Sequence, residues 1–188
     1  GVTDLVIDPT NPDILYAASW QKHRNVAALM GGGPGTSLYK STDGGNSWLK
    51  IDNGLPSSNM GKIGLAISPM KPNVLYAAIE LDRRNGAVFR SENSGGSWQR
   101  MSNTVSGGTG PHYYQEFVAS PHVFDIIYLM NVRVLVSEDG GDNFYTMSER
   151  RKHSDNHSLT FKANDPNYML IGTDGGIYES FDDSETWK

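Results

Sequence analysis

Residues 153–157 (His-Ser-Asp-Asn-His) bring together the side chains with the greatest potential for chemistry in this sequence. If the segment is extended, His153, Asp155 and His157 point to one side of the chain. Two imidazoles and a carboxylate on one side can bind a divalent metal ion or act as general acid and base. In the alternative interpretation, they form a polar loop whose side chains bind one another and the backbone.

Asp174 is predicted to join this segment. If residues 158–161 and 169–172 form a hairpin centred near residue 165, the numbers of opposed residues sum to about 330. Asp174 would then lie across from Asn156. We expect it to cluster with the His-Asp-His segment at the inner edge of a sheet and to help anchor a ligand.

Other side chains are candidates for ligand binding. Tyr113 and Tyr114 follow His112 and could stack on a sugar or a peptide, although packing in the core is the alternative. Arg24, beside His23 in a loop that leads into a glycine-rich stretch, could bind an anion, although a solvated loop is the alternative. These residues add recognition chemistry without indicating a reaction.

Carboxylates suited to glycoside hydrolysis are present but are not paired by the sequence. Such hydrolysis needs two carboxyl groups about 5 to 10 Å apart across a cleft. The available residues are Glu80, Asp82, Glu116 and Asp155. Their spacing along the chain does not say which two would face one another.

Composition excludes several classes of protein. The chain has 188 residues, with 16 Lys and Arg against 21 Asp and Glu, which argues against nucleic acid or an anionic membrane surface as the main partner. No cysteine is present, which excludes a disulfide scaffold and a thiolate metal site. The longest apolar stretch, residues 123–136, is interrupted by Asp125, Asn131 and Arg133, so no membrane span is predicted.

An eight-residue box occurs four times, at residues 41–48, 91–98, 137–144 and 180–187. The third positions of the copies, Asp43, Asn93, Asp139 and Asp182, are separated by 50, 46 and 43 residues. A short apolar run precedes each box, at residues 14–17, 74–77, 126–129 and 169–171. Two features that recur in phase indicate a repeat protein, and this period with four short strands per unit is typical of propeller blades.

The sequence therefore predicts an all-β protein with very little helix. We expect a β-propeller portion made of four consecutive four-stranded antiparallel blades, at about residues 1–52, 53–102, 103–148 and 149–188, the last blade being incomplete. The remaining blades of a larger parent propeller are expected partners.

The boxes are predicted to be structural. Their Asp or Asn closes a turn by accepting backbone N–H groups, their glycines supply positive φ, and the final ring is buried between sheets. The residues assigned this role are Ser41, Asp43, Gly45, Trp48, Ser91, Asn93, Gly95, Trp98, Ser137, Asp139, Gly141, Phe144, Ser180, Asp182 and Trp187.

This box pattern resembles the Asp-box, or bacterial neuraminidase repeat, of sialidases, some glucan hydrolases and sortilin-type receptors. Residues 20–24 (Trp-Gln-Lys-His-Arg), the stretch 31–35 (Gly-Gly-Gly-Pro-Gly), residues 153–157, and 172–176 (Gly-Thr-Asp-Gly-Gly) are similar to bacterial sortilin-type propellers. The resemblance extends over essentially the whole chain and implies the propeller fold.

The leading functional hypothesis is a binding module of a larger secreted or periplasmic protein. It would hold a peptide, a protein or a glycan on the face that collects the longer loops, residues 21–36, 80–85, 102–112 and 148–156, because binding residues concentrate on long loops. The alternatives are a fragment of a glycoside hydrolase and a metal-dependent hydrolase that uses His153, Asp155 and His157. The cofactor that these residues suggest is a divalent metal ion.

Overall fold

A computed structural model describes residues 1–82, 85–107 and 110–188, and residue 82 through its backbone alone. All regular structure in these ranges is β-strand, and every strand pair is antiparallel. The predicted all-β class is confirmed. Nowhere in the same ranges is there a helix of the length and apolar character needed to cross a membrane.

The first sheet is four-stranded and carries a small hairpin. Its strands, in spatial order, are β1 (Val2–Asp8), β2 (Asn11–Ser19), β5 (Leu38–Ser41) and β6 (Leu49–Lys50). The hairpin of β3 (His23–Arg24) and β4 (Leu29–Met30) lies between β2 and β5 along the chain. Arg24 therefore lies on this small hairpin and not within the four-stranded sheet.

The next two sheets follow the same up-and-down order. The second consists of β7 (Ile63–Ile67), β8 (Leu75–Asp82), β9 (Asn85–Ser91) and β10 (Gln99–Ser102). The third consists of β11 (Phe117–Ala119), β12 (Ile127–Leu129), β13 (Leu135–Ser137) and β14 (Tyr145–Thr146).

The fourth sheet has three strands, β15 (Asn156–Lys162), β16 (Asp165–Thr173) and β17 (Gly176–Ser180). Lys188 pairs with Glu179 through two backbone hydrogen bonds of 3.0 and 3.1 Å. In the first sheet, Leu49 pairs with Lys40 at the corresponding position, directly after its box. Lys188 therefore occupies the place of the first residue of a fourth strand.

The sheets pack face against face, with their first strands innermost. Strand β7 contacts both β1 and β11, which places the first strand of each of these sheets at a common inner edge. Apolar side chains fill each junction between consecutive sheets, represented by Tyr16 and Leu65 at the first, Val88 and Ile127 at the second, and Tyr128 at the third.

The box rings occupy equivalent positions at these junctions. The buried Trp98 indole packs against the first sheet and donates its Nε1–H to the Ile51 carbonyl at 3.0 Å. Trp187 packs against the third sheet, with its Nε1–H on the Ser148 carbonyl at 3.0 Å, and Phe144 packs against the second. The predicted burial of the box ring between sheets is wrong for Trp48, which is 40% exposed because no sheet precedes it in the described chain. Its Nε1–H donates to the Gly45 carbonyl in its own box.

Side-chain hydrogen bonds close a turn within each box. Asp43 Oδ1 accepts the Ser47 N–H at 2.9 Å, Asp43 Oδ2 accepts the Ser47 hydroxyl at 2.6 Å, and the Ser41 hydroxyl donates to Oδ1 at 2.7 Å. The same arrangement recurs around Asn93, Asp139 and Asp182. Each box therefore closes its own turn with its own side chains.

Two consecutive residues with positive φ shape each box. Glycines fill both positions in the first and third copies, whereas the fourth copy uses Asp183 and Ser184 at φ 52° and 69°. The first residue of each pair donates its N–H to a carbonyl at or just before the start of the second strand of the same sheet, as from Gly44 to the Asp13 carbonyl at 3.0 Å. The boxes and these turns thus share one face, and the longer loops collect on the opposite one, which is called the loop-rich face below.

Candidate functional site

The hairpin that leads into the predicted cluster has the expected register with one shift. Leu159 pairs with Ile171 and Phe161 with Met169, so the predicted pairing rule is confirmed for the body of the hairpin. A bulge between Asn156 and Ser158 then moves Asn156 opposite Thr173. The prediction that Asp174 faces Asn156 is therefore wrong by one residue, because an extra residue is accommodated at the bulge.

The bulge brings Asp174 to His157 instead. His157 Nε2 lies 2.9 Å from Asp174 Oδ1, and the Asp174 N–H donates to the Asp155 carbonyl at 3.1 Å. The His157 ring also stacks on Tyr114, with the ring centroids 5.2 Å apart and the planes 12° from parallel. A carboxylate and an aromatic face together set the orientation of this imidazole.

Asp155 makes its side-chain hydrogen bonds to two hydroxyl groups and not to the two histidines. Its φ of 63° is left-handed, so residues 153–157 do not form the extended segment on which the predicted alternation depended. Asp155 Oδ1 accepts the Tyr114 hydroxyl at 2.6 Å and Oδ2 accepts the Ser154 hydroxyl at 2.9 Å. These hydroxyls, Tyr114 first, hold the pKa of Asp155 below its ordinary value, so the group is ionised at neutral pH.

His153 lies at the other side of the turn formed by residues 173–176. Its Nδ1 is 2.7 Å from the Ser154 carbonyl and 3.9 Å from Asp155 Oδ2. The ring packs so closely on Gly175 that a Cβ there would come within 2.6 Å of it. The four predicted residues therefore lie together, but residues 153–157 form a bend that packs on the turn of residues 173–176.

The predicted metal site does not form in this arrangement. In the ranges that the structure describes, no three His, Asp or Glu side chains converge so that they could hold a metal ion. Both oxygens of Asp155 are occupied by hydroxyl donors, and His157 is directed at Asp174. The donor set fits hydrogen bonding and not coordination of a cation.

Tyr114 is held by residues that the sequence did not single out. Lys62 Nζ donates to the Tyr114 carbonyl at 2.7 Å and to Glu116 Oε1 at 2.8 Å. Next to it, the buried Gln115 accepts the Ser106 N–H through Oε1 and donates through Nε2. Tyr114 is itself buried, so of the two predicted stacking residues it serves to position Asp155 and His157.

Tyr113 remains available to a ligand. Its side chain is 51% exposed and packs on His112, with the ring centroids 4.3 Å apart. Burial lowers the pKa of His112, and the nearby cations Lys22, Arg24 and Lys62 lower it further. The β3–β4 hairpin, which carries Arg24, thus shares the electrostatic environment of this aromatic pair.

The carboxylates considered for hydrolysis are tied into the scaffold. Glu80 Oε2 accepts the Lys62 N–H at 3.2 Å, and Glu116 forms an ion pair with the Lys62 ammonium group at 2.8 Å. The side chain of Asp82 lies outside the described residues. Asp155 is kept ionised by its hydrogen bonds to the Tyr114 and Ser154 hydroxyls.

A buried lysine organises the loop before β15 and was missed by sequence reasoning. The Lys152 side chain is fully buried, and its Nζ donates to Glu149 Oε1 at 3.0 Å, to Asn156 Oδ1 at 2.6 Å and to the His153 carbonyl at 3.2 Å. Burial lowers the pKa of Lys152. Nothing in the local sequence distinguishes it from its solvated neighbours.

Cavities open on the loop-rich face at two junctions between described sheets. The one between the first and second sheets has a volume of about 220 Å³ and is lined by Gly31, Gly32, Asn59, Met60, Gly61, Glu80 and Leu81. The one between the third and fourth sheets has a volume of about 640 Å³ and is lined by Val132, Arg133, Met147, Glu149, Arg150, Lys152, His153 and Ser154. The larger cavity adjoins the His-Asp cluster through His153.

Comparison with known proteins identifies relatives among glycoside hydrolases. The chain is 22% identical over 216 residues to a xyloglucanase of Acetivibrio thermocellus, covering all of this chain and 24% of that protein. It is 22% identical over 203 residues to an oligoxyloglucan-reducing end-specific xyloglucanase of Emericella nidulans, again over its whole length and 23% of the relative. The chain thus spans about a quarter of the length of these relatives. No family model matches it.

Solved structures show the same fold. A GH74 xyloglucanase from Xanthomonas campestris superposes with a TM-score of 0.72 at 19% identity, over all of this chain and 30% of that one. YCF48 from Cyanidioschyzon merolae has a TM-score of 0.59 at 11% identity, over all of this chain and 55% of that one. With its successive antiparallel sheets, the chain therefore has the fold of a β-propeller portion and corresponds to a fragment of such larger chains.

Proposed function

We propose that this chain is the part of a larger extracytoplasmic Asp-box propeller, of the sortilin type, that binds a glycan on its loop-rich face. The uniform hydrogen bonding of the four boxes supports the Asp-box assignment. The sheets are taken as consecutive blades that meet near residues 52, 102 and 148. The xyloglucanases among its relatives favour carbohydrate over peptide or protein as the ligand.

This proposal rests on one observation: the loop-rich face carries both an exposed aromatic ring and polar groups held in a fixed orientation. Tyr113, backed by His112, offers the kind of ring that stacks on a sugar. The side chain of Asp174 is 65% exposed while its Oδ1 faces His157, leaving acceptor capacity for a sugar hydroxyl. Polar groups held in place before binding reduce the entropic cost of binding.

Calorimetric titration with cellotetraose and with a xyloglucan heptasaccharide tests the proposal. Tyr113→Ala and Asp174→Asn are each expected to weaken binding about 10-fold, as for a lost stacking or hydrogen-bonding contact. Tyr145→Ala is the matched control, because Tyr145 is 50% exposed but lies directly after a box. Absence of binding to both sugars, or equal loss in the control, would reject a glycan site on this face.

Glycoside hydrolysis is the second candidate, and Asp155 is the observation that favours it. Its left-handed backbone and lowered pKa are those of a strained, ionised carboxylate, which suits a nucleophile or a general base. Chromatography of xyloglucan incubated with the protein and with an Asp155→Asn variant tests it. Products that appear in both samples, or in neither, would argue against a reaction at Asp155.

A further inference from the structure

The cavity between the third and fourth sheets differs in charge from the rest of the molecule. Arg133, Arg150 and Lys152 line it together with a single carboxylate, that of Glu149. The chain as a whole has a net charge of −5. Because the cavity is cationic although the protein as a whole is acidic, it attracts anions locally.

The one carboxylate is already neutralised within the protein. Glu149 Oε1 accepts hydrogen bonds from the Lys152 ammonium group at 3.0 Å and from the Asn156 side-chain amide at 2.8 Å. Across the described part of the chain, neither Arg133 nor Arg150 has an ion-pair partner. Two exposed arginines therefore line the cavity without an ion pair in the described chain, and His153 lines it as well.

The buried lysine also fixes the walls of this cavity. Lys152 ties Glu149 to Asn156, and the Arg150 carbonyl accepts the Trp187 N–H at 3.2 Å. Arg151, the residue between the two, adopts a left-handed φ of 71°. The loop is thus held in one conformation by a buried network, so Arg150 is presented without the entropic cost of ordering the loop on binding.

We infer that this cavity is a subsite for an anionic group of a carbohydrate, either the carboxylate of a uronic acid or a sulfate ester. Guanidinium groups bind both kinds of oxyanion through paired N–H donors. The volume of about 640 Å³ falls in the usual range of small-molecule sites. This inference rests on the proposed glycan function and names the class of sugar that the loop-rich face prefers.

Titration with three oligosaccharides of similar size provides the test. Trigalacturonate carries carboxylates, a κ-carrageenan tetrasaccharide carries sulfate esters without carboxylates, and cellotetraose is neutral. At least one anionic sugar is expected to bind about 10-fold more tightly than cellotetraose, and this preference should decrease as salt screens the charges. The identity of the tighter ligand distinguishes carboxylate from sulfate.

Matched variants localise the effect. Arg133→Gln and Arg150→Gln are each expected to lose about 10-fold in affinity for the anionic sugar, the range of a charged hydrogen bond. Arg151→Gln is the control, because Arg151 adjoins Arg150 but does not line the cavity. Binding of cellotetraose should be unchanged in all three variants, which shows that they remain folded.

The outcomes separate this inference from the proposed function. Equal affinity for charged and neutral sugars would overturn the anionic subsite and leave the glycan site standing. An equal loss in Arg151→Gln would overturn it as well, because the preference would then arise from general charge. Failure of all three sugars to bind would reject the glycan function itself.

Discussion

Gly64 lies against the backbone of Gln115, whose carbonyl oxygen occupies the space that a side-chain carbon at residue 64 would need. The contact joins β7 to the segment that carries Tyr114. Gln115 is fully buried and has a φ of 96°, so it cannot readily move aside. This close approach fixes the inner edge between the second and third sheets.

Gly64→Ala should therefore destabilise the protein by about 1 to 3 kcal/mol, the range of overpacking in a core. Urea unfolding measures the change. Gly31→Ala is the control and should be neutral, since a Cβ at Gly31 would meet no atom within 4 Å. If the urea midpoint of Gly64→Ala equals that of the parent, the backbone at Gln115 can move to accommodate the added methyl group.

Asp43→Ala should lower the melting temperature, because the N–H and hydroxyl of Ser47 lose their acceptor. Asp43→Asn should retain most of the parent stability. The second box already works with an amide, since Asn93 accepts the Ser97 N–H and donates to the Ser97 hydroxyl. Equal melting curves for the parent and Asp43→Ala would show that the carboxylate does not hold the turn.

Acid should remove the contribution of the boxes over a defined range of pH. The Ser47 hydroxyl lowers the pKa of Asp43 from 3.8 to about 2, and the Asn143 N–H does the same for Asp139. A carboxyl with a lower pKa in the folded state binds fewer protons there, so its stabilisation is complete above pH 3.8 and is lost as the pH falls through about 2. Melting temperatures of the parent should fall more steeply from pH 4 to pH 2 than those of Asp43→Asn/Asp139→Asn.

Lys152→Met should destabilise the protein by about 3 to 5 kcal/mol, because it leaves the Glu149 carboxylate without its cation. Adding Glu149→Gln should recover part of that loss. A double-mutant cycle from urea unfolding measures the coupling. Strictly additive effects would mean that the two side chains stabilise the loop independently.

Trp98→Phe should cost about 1 to 3 kcal/mol, because the Ile51 carbonyl loses its donor at a buried junction. Trp48→Phe should change stability by less than about 0.5 kcal/mol, as is usual for surface substitutions. The comparison is informative because both rings occupy the same box position. Equal losses on denaturant titration would contradict the difference in their environments.

The boxes could be predicted from the sequence because their physics is local. The acceptor at Asp43 and its donors lie within the same eight residues, so spacing alone defines the turn. The pairing of β15 with β16 was predictable for the same reason, since a short hairpin has one natural centre. The bulge at Asn156 was not, because an inserted residue leaves no compositional mark.

The sequence predicted which residues come together at the candidate site, but not which contacts they make. His153, Asp155, His157 and Asp174 do come together, yet the partner of Asp155 is Tyr114, which lies 41 residues away along the chain. The burial of Lys152 likewise depends on Asn156 and on the ring of Trp187. Contacts between different sheets decide such roles, and a pattern within one segment does not contain them.

The side-chain bonds of the third residue of each box have a consequence for how this architecture can diversify. In the described chain, the side-chain hydrogen bonds of the third box residue stay within the box, as when Asp43 accepts the Ser47 N–H, whereas the ring of Trp98 donates to Ile51 next to the preceding sheet. Substitutions among the loops of the opposite face leave those bonds untouched. New specificities can therefore evolve in those loops while the side-chain-closed turns of the boxes are kept.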